Sequence, residues 1–382
     1  MNCIRILIRC SKILFIPAII FAQNIYPDLS RFEDSSHHWY TIFDDYRVIE
    51  PLSDQPQYED SQFTKIADNI LLFQKNNGGW AKNYDMKAIL TSDQIKAVRE
   101  SKQDENTTFD NGATHSQLTY LAEVYNLTRT EKYKTAFLKG MQFVLEAQYE
   151  NGGWPQFYPD TSGYREHITF NDMAMVGIMH LFQDIVYSYP QYDFIDYNFR
   201  MKIYKAYKKG IECIIKCQII DNGQKTVWCQ QHDHLDYSPR DARTFEKASI
   251  CNLESAEITE FLMNIQNPDK NIIDAIECAV KWFQKAEIHG IRIQWVESTE
   301  EKFLYHTSKY DKIIVNDPDA PVIWARFNEL SSHKPIFVSR NGEVSYSLAE
   351  IDRDRRTGYR WYTYAPEIVL SLYADWQKKW VD

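Results

Sequence analysis

Two stretches of this chain carry the same short text: NNGGW ending at Trp80 and ENGGW ending at Trp154, 74 residues apart. Each follows a helical pattern. Ile66, Ile70, Leu71 and Gln74 precede the first turn, and Phe137, Met141, Val144, Leu145 and Gln148 precede the second in the same phase. The paired glycines supply a helix stop, because glycine tolerates the left-handed backbone that follows a helix. Weaker copies lie around Gln218 with Asn222-Gly223 and around Gln284. A chain that stops a helix this way three or four times builds stacked helix pairs rather than one sheet.

A second element recurs out of phase with the first. TTFDNGATHSQLTYL begins at Thr107, ITFNDMAMVGIMHLF at Ile168 and RTFEKASICNLESAEI at Arg243. Each joins Thr-Phe to a carboxylate or amide and then to an apolar helical stretch, and threonine is a good helix start. The combined unit predicts a mainly α fold, an (α/α) toroid whose inner helix starts share one rim. Asp110-Asn111, Asn171-Asp172 and the stretch Arg243–Lys247 would meet there. From about residue 290 the text becomes richer in β-branched and aromatic residues, and short strands and loops are expected against the ring.

The 382 residues allow one large domain with a substantial core. A net charge of −10 argues against nucleic acid as a partner. The opening MNCIRILIRCSKILFIPAIIFA has a basic start and an apolar run too short to span a bilayer, so residues 1–22 read as a secretory signal. No cysteine follows it to carry a lipid anchor. The expected organisation is a signal at 1–22, an N-terminal extension at 23–59 and a catalytic toroid at 60–382, in an exported monomer, periplasmic or secreted. The five cysteines beyond the leader, Cys213, Cys217, Cys229, Cys251 and Cys278, have no CxxC spacing and assign no disulfide.

Carboxylates on matched helix starts can cap helices, serve as the acid and base of a glycosidase, or hold calcium with a neighbouring amide. Arginines cluster between 321 and 360: Arg326 and Arg340 in apolar text, and Arg353, Arg355 and Arg356 in a charged run that reads as solvated surface. The planar guanidinium fork matches carboxylates and phosphates. His232 and His234 could form a metal pair, and Trp80 and Trp154 read as packing residues.

NGGWAKNYD, TFDNGATHSQLTYLAEVY, NGGWPQFYP, HITFNDMAM, WCQQHD, ARTFE, PVIWARF, KPIFVSRNGEV and RRTGYRWY together resemble the pectate lyases of polysaccharide lyase family 10. The resemblance runs from about residue 60 to residue 370 and implies an (α/α)3 toroid with a partly β-type face. It also implies calcium-assisted β-elimination of polygalacturonate. On this resemblance Asp110, Asn111 and Asp172 hold calcium, Arg243 is the base that removes the C5 proton, and Arg326 and Arg340 hold substrate carboxylates, with Asn171 and Lys247 also on the substrate. Lys247 is the chemical alternative to Arg243 as base, since an unperturbed arginine titrates above about 12. Ala81 stands where the family often has proline, and the loop around Arg243 is poorer in proline than usual. An inverting-type glycoside hydrolase on an α/α toroid, using Asp110 and Asp172, and a non-catalytic pectin-binding protein are the competing readings.

Overall fold

The computed structural model describes residues 26–44 and 46–381; the leader at 1–22 lies outside them. Their helices are α1 Glu33–Thr41, α2 Phe63–Phe73, α3 Ser92–Glu100, α4 His115–Thr128, α5 Glu131–Glu146 and α6 Ala174–Val186. These continue with α7 Tyr197–Cys217, α8 Asn252–Met263, α9 Lys270–Lys285, α10 Arg353–Gly358 and α11 Ala365–Trp380. Strands are short except for one antiparallel hairpin, Ile291–Lys302 with Thr307–Asn316.

The repeated text is the joint between consecutive helix pairs. Gln74 ends α2, and its side-chain amide donates to the carbonyls of Gly78 and of Ala136 in α5, both at 2.9 Å. Gln148 does the same after α5, reaching Gly152 at 3.0 Å and Ala206 of α7 at 2.9 Å. Gln218 repeats it after α7, reaching Thr226 at 3.0 Å and Ala275 of α9 at 2.9 Å. The tryptophan past each turn is buried and returns its indole N–H to the helix just ended. Trp80 donates to Ile70, Trp154 to Val144 and Trp228 to Ile214, at 2.8, 2.8 and 2.7 Å. Trp324 completes the series on Phe283 of α9 at 2.8 Å. These indoles satisfy carbonyls that a helix C-terminus otherwise leaves open.

Helices α2, α5, α7 and α9 thus form one row, and α4, α6, α8 and α11 pack beside them as a second row. The second row is the more apolar: ten of the residues of α6 are buried, from Ala174 to Ile185. Residues 26–44 and 46–59 belong to the same body. Phe32, Trp39 and Ile49 sit in the main core, and α1 packs on the turn that carries Asp110.

Two expectations change. The third inner helix starts at Asn252, not in the Arg243–Lys247 stretch, which is an irregular loop before the short strand Ile250–Cys251. The Thr-Phe match there is a coincidence of text; the structural equivalent of Thr114, whose hydroxyl accepts from the Trp80 amide, is Ser255, which accepts from Trp228. The tail is not only strands and loops, because α11 supplies the fourth inner helix and packs on α8 and α9. Pro366 in its first turn is the start signal that the strand-like text before it obscures. All five described cysteines are free thiols, and four of them are buried.

Gly152 has φ +96°, and a Cβ there would lie 2.1 Å from the Lys209 carbonyl oxygen of α7. Gly163 has φ +62° and open space around it. Gly152→Ala should therefore lose about 2–4 kcal/mol of unfolding free energy, and Gly163→Ala about 1 kcal/mol, as measured by denaturant melts. Equal losses would show that the joint tolerates a side chain and is not what holds the rows.

Candidate active site

Two short turns begin the inner helices α4 and α6 and touch one another: Asp110–Gly112 and Asn171–Met173. Both hold non-glycine residues in the left-handed region: Asn111 at φ 50° in the first, and Asp172 at φ 48° with Met173 at φ 62° in the second. Asn and Asp tolerate that backbone better than other side chains, and such strain concentrates at functional sites. The turns thereby place Asp110, Asn111 and Asp172 on one rim, as the sequence predicts.

Asp110 is buried, and one carboxylate oxygen is ion-paired to Lys82. Burial opposes the charged form of both groups, but their mutual attraction wins: the Asp110 carboxyl is lowered and the Lys82 ammonium raised. The other oxygen of Asp110, Oδ1, is buried with no hydrogen-bond partner. Asn111 donates its side-chain amide to Asn83 at 3.0 Å. Asp172 has the opposite fate from Asp110. Loss of water around it, and then the negative charge of Asp110, push its carboxyl up to about 7, although Arg326 approaches to 4.0 Å and 39% of the side chain stays exposed. A buried carboxylate oxygen without a donor beside a carboxyl that resists ionising is an incomplete site, one that a cation would complete.

A network behind the rim fixes Asp172. Asn171 donates to the Asp172 carboxylate at 2.5 Å. Its own oxygen accepts from Gln230 and, at 3.1 Å, from Arg326. Arg326 is 5% exposed and ion-paired to Glu254 of α8, which also accepts from Gln230 at 2.9 Å. Asn171 is 2% exposed with both polar ends spent inside the protein, so its geometry is that of a support for Asp172.

The loop before α8 brings Arg243 to the same place. Its guanidinium meets Glu246 through Nε at 2.9 Å and Nη2 at 2.5 Å. Burial disfavours the charge on Arg243, but Glu246 outweighs it and holds the guanidinium well above its ordinary range. In return Glu246 falls to about 2. Lys247 leans on Asp241 at 3.4 Å with part of its side chain exposed. Arg340 is paired through Nε with Asp354 and lies 5.0 Å over the Tyr305 ring.

Arg353 and Arg356 are ion-paired, with Glu301 and Asp311, but only 15% and 17% of their side chains are exposed, so they are half-buried rather than solvated as the sequence suggests. Arg355 differs: it is 3% exposed, without an ion pair, and lies 3.9 Å over Phe245 and 4.4 Å over Tyr359. Two of its nitrogens have no hydrogen-bond partner. Burial brings it down to about 10. A reading of the charged run as uniform surface misses the difference. Lys82, Gln230, Glu246, Glu254 and Tyr359 are the other residues of the site that the sequence reading did not single out as site residues. Lys82 also lines a groove of about 570 Å³ with Tyr46, Phe157, Arg165 and Tyr305 and with the acidic Asp44, Glu105 and Asp160, so the rim opens onto an aromatic cleft of mixed charge. His232 is internal: its Nε2 accepts from the Cys229 amide at 3.0 Å and its Nδ1 meets the Tyr237 carbonyl at 2.8 Å.

The pectic acid lyase family model matches residues 74–370. Among solved structures, a family 10 polysaccharide lyase from Cellvibrio cellulosa, as an aspartate-to-alanine mutant in complex with trigalacturonic acid, is 30% identical with a TM-score of 0.71, over 81% of this chain and 92% of that one. A second structure of the family 10 lyase from the same organism is 30% identical with a TM-score of 0.70, over 81% and 91%. A comparison with curated proteins finds no match. The paired turns, the site arginines and the helices from α3 to α10 lie within the matched region, and the chain belongs to the pectic acid lyases, the polysaccharide lyases of family 10.

Proposed function

We propose that this pectic acid lyase cleaves polygalacturonate by calcium-assisted β-elimination on the rim formed by the Asp110 and Asp172 turns. The observation that carries the reading is the unpartnered buried oxygen of Asp110 beside an Asp172 carboxyl raised to about 7. The donors there are all hard oxygens, which suits calcium. Asp110, Asn111 and Asp172 would hold it. When bound, calcium supplies positive charge against the uronate carboxylate and so favours the enolate-like intermediate.

The chain's own residues do the rest. Lys82 keeps Asp110 ionised. Asn171, fixed by Gln230 and Arg326, keeps the Asp172 carboxylate aimed at the rim. Arg340 is partly exposed at the rim and offers its free N–H groups to a substrate carboxylate, while Arg326 adds charge from beneath. The groove beside Lys82 offers the Tyr46 and Phe157 rings to apolar sugar faces. Arg243 is the most open of these arginines, with 46% of its side chain exposed, and takes the C5 proton. It does so against Glu246, which keeps the resting guanidinium protonated. Abstraction therefore draws on a small neutral fraction, and the rate rises toward alkaline pH.

The finer architecture, an (α/α)3 toroid, belongs to the same reading: the two alternating helix rows support the α/α pairing, and with four helices each they hold one pair more than that count. Export to the periplasm or beyond rests on the basic-then-apolar leader at 1–22, and the absence of a membrane-spanning helix among the described residues agrees with it. A glycosidase would use Asp110 and Asp172 as its acid and base, but Asp110 is locked as an anion by Lys82 and sits in an arginine field that a neutral sugar does not need.

Three outcomes test the proposal. Polygalacturonate should yield products with the ultraviolet absorbance of a conjugated double bond, and chelator should remove the activity; hydrolysis without new absorbance would make the enzyme a glycosidase. Arg243→Ala should lower kcat by about 10²–10⁴-fold and Lys247→Ala by about tenfold or less. The reverse order would assign the base to Lys247. Asp172 is protonated below its raised pKa and must lose that proton to take a cation. Calcium affinity measured by calorimetry should thus fall about tenfold per unit below pH 7 and level off above it. A flat profile between about pH 5 and pH 8 would remove Asp172 from the calcium site.

A further inference from the structure

A second cluster of ligating side chains lies on the far end of the strand pair that leads into the rim. Ile168–Thr169 pairs antiparallel with Gln231–His232, with Ile168 opposite His232. Just outside that ladder lie Glu166, at the end of the 3-10 turn Gly163–Glu166, His167 after it, and His234 in the turn that follows His232. One ligand atom from each of Glu166, His167 and His234 lies within 4.8 Å of the other two. Nδ1 of His167 and Nδ1 of His234 are both buried with no hydrogen-bond partner. Two orphaned imidazole nitrogens beside a carboxylate are costly unless something binds them.

The surroundings hold this cluster in place. The Tyr149 hydroxyl donates to the Glu166 carbonyl at 2.8 Å, and the Tyr149 ring lies 5.4 Å from the His234 ring. Asn151, in the second glycine turn, donates to the His234 carbonyl at 2.7 Å. The nearby Asp233 is already paired with Arg240 at 2.9 Å, so Glu166 is the carboxylate left to the cluster. Burial keeps His167 below the ordinary histidine range, and a neutral imidazole is the form that ligates. The sequence suggests His232 with His234; the structure removes His232 and brings in Glu166 and His167 beside the ladder.

We propose that Glu166, His167 and His234 bind one zinc ion, with water as the fourth ligand. Two imidazoles and one carboxylate are a zinc donor set and a poor one for calcium, which takes six to eight oxygens. Tetrahedral zinc ligands are about 3.3 Å apart, so the three side chains draw together by a small rotamer adjustment. The ion clamps the strand pair just before it reaches the active site. Beyond that ladder the amides of Phe170 and Asn171 donate to the Gln230 carbonyl at 2.8 and 3.2 Å, and Asp172 follows. The role is structural: it ties the base of the Asp172 turn to the loop that bears Gln230.

The test uses the full-length chain, stripped with chelator and titrated with zinc chloride in calcium-free buffer. One zinc per chain is expected. His234→Ala and Glu166→Gln should each raise the zinc Kd by about 100-fold or more, since even an outer-shell loss costs 10–100-fold. The Asp110→Ala, Asp172→Ala double variant should keep wild-type zinc affinity. Cobalt(II) in place of zinc should give the visible absorption of a four-coordinate site in the wild type and lose it in His234→Ala. This readout needs no variant to demonstrate occupancy. Zinc should also raise the melting temperature of the wild type by about 2 °C or more and leave His234→Ala unmoved. No binding below about 1 mM, binding unchanged in His234→Ala, or binding lost in the Asp110, Asp172 double variant would each overturn the proposal.

Discussion

The glutamine that ends α2, α5 and α7 bears on everything else in this molecule. A helix end exposes carbonyls and amides that must find partners, and here one side-chain amide bridges its own turn and the next outer helix. The tryptophan beyond it closes the remaining carbonyl from inside the core. The same joint is used after α2, α5 and α7, and its tryptophan half again after α9. Because each joint fixes the angle and spacing of successive pairs, the starts of the inner helices are delivered to one side without needing contacts of their own. The glycines are there because backbone from the next helix occupies the space a side chain would need.

On that frame the site is a balance of charges that do not cancel in place. Arg326 with Glu254 and Lys82 with Asp110 are pairs taken largely out of water, whereas Arg243 pairs with a buried Glu246 while keeping nearly half of its own side chain exposed. Burying such pairs gains little net stability, and removing one partner leaves a stranded charge. Their value is positional. Each pair holds a cation at the rim while tying down the atom that would otherwise wander. Asp172 and Arg355 have no such partner: one is pushed toward its neutral form and the other lies among aromatic faces with unused N–H groups. The frame thus stores an unmet demand for positive charge beside an excess of guanidinium, the arrangement a polyuronate and a divalent cation would relieve.

Some of this was legible before any coordinates. The 74-residue spacing of Trp80 and Trp154 announces the joint, and TFDN with TFND announces the paired turns, because both are local texts whose residue types have few alternative uses. The Thr-Phe of residues 244–245 was misread for the same reason: two residues are too few to set a register, and Ser255 rather than Arg243 holds the matching place. Glu254 and Glu246 were not read as site residues because a carboxylate in a helix or loop looks the same whether it faces water or a buried arginine. Arg355 reads as surface because it sits in a charged run; only its packing on Phe245 and Tyr359, without a carboxylate partner, separates it from the half-buried, ion-paired Arg353 and Arg356.

The amino-acid text alone determined that this chain builds stacked helix pairs, stops them with glycine, and carries two aspartates on matched helix starts, because periodicity and turn chemistry act over a few residues. Only the tertiary structure decided which arginine is paired and which is not, that Asn171 supports Asp172 from within, and that His167 and Glu166 meet His234 while His232 does not. Those outcomes depend on which groups share a low-dielectric space after chain segments up to 155 residues apart have packed, as Asn171 and Arg326 do.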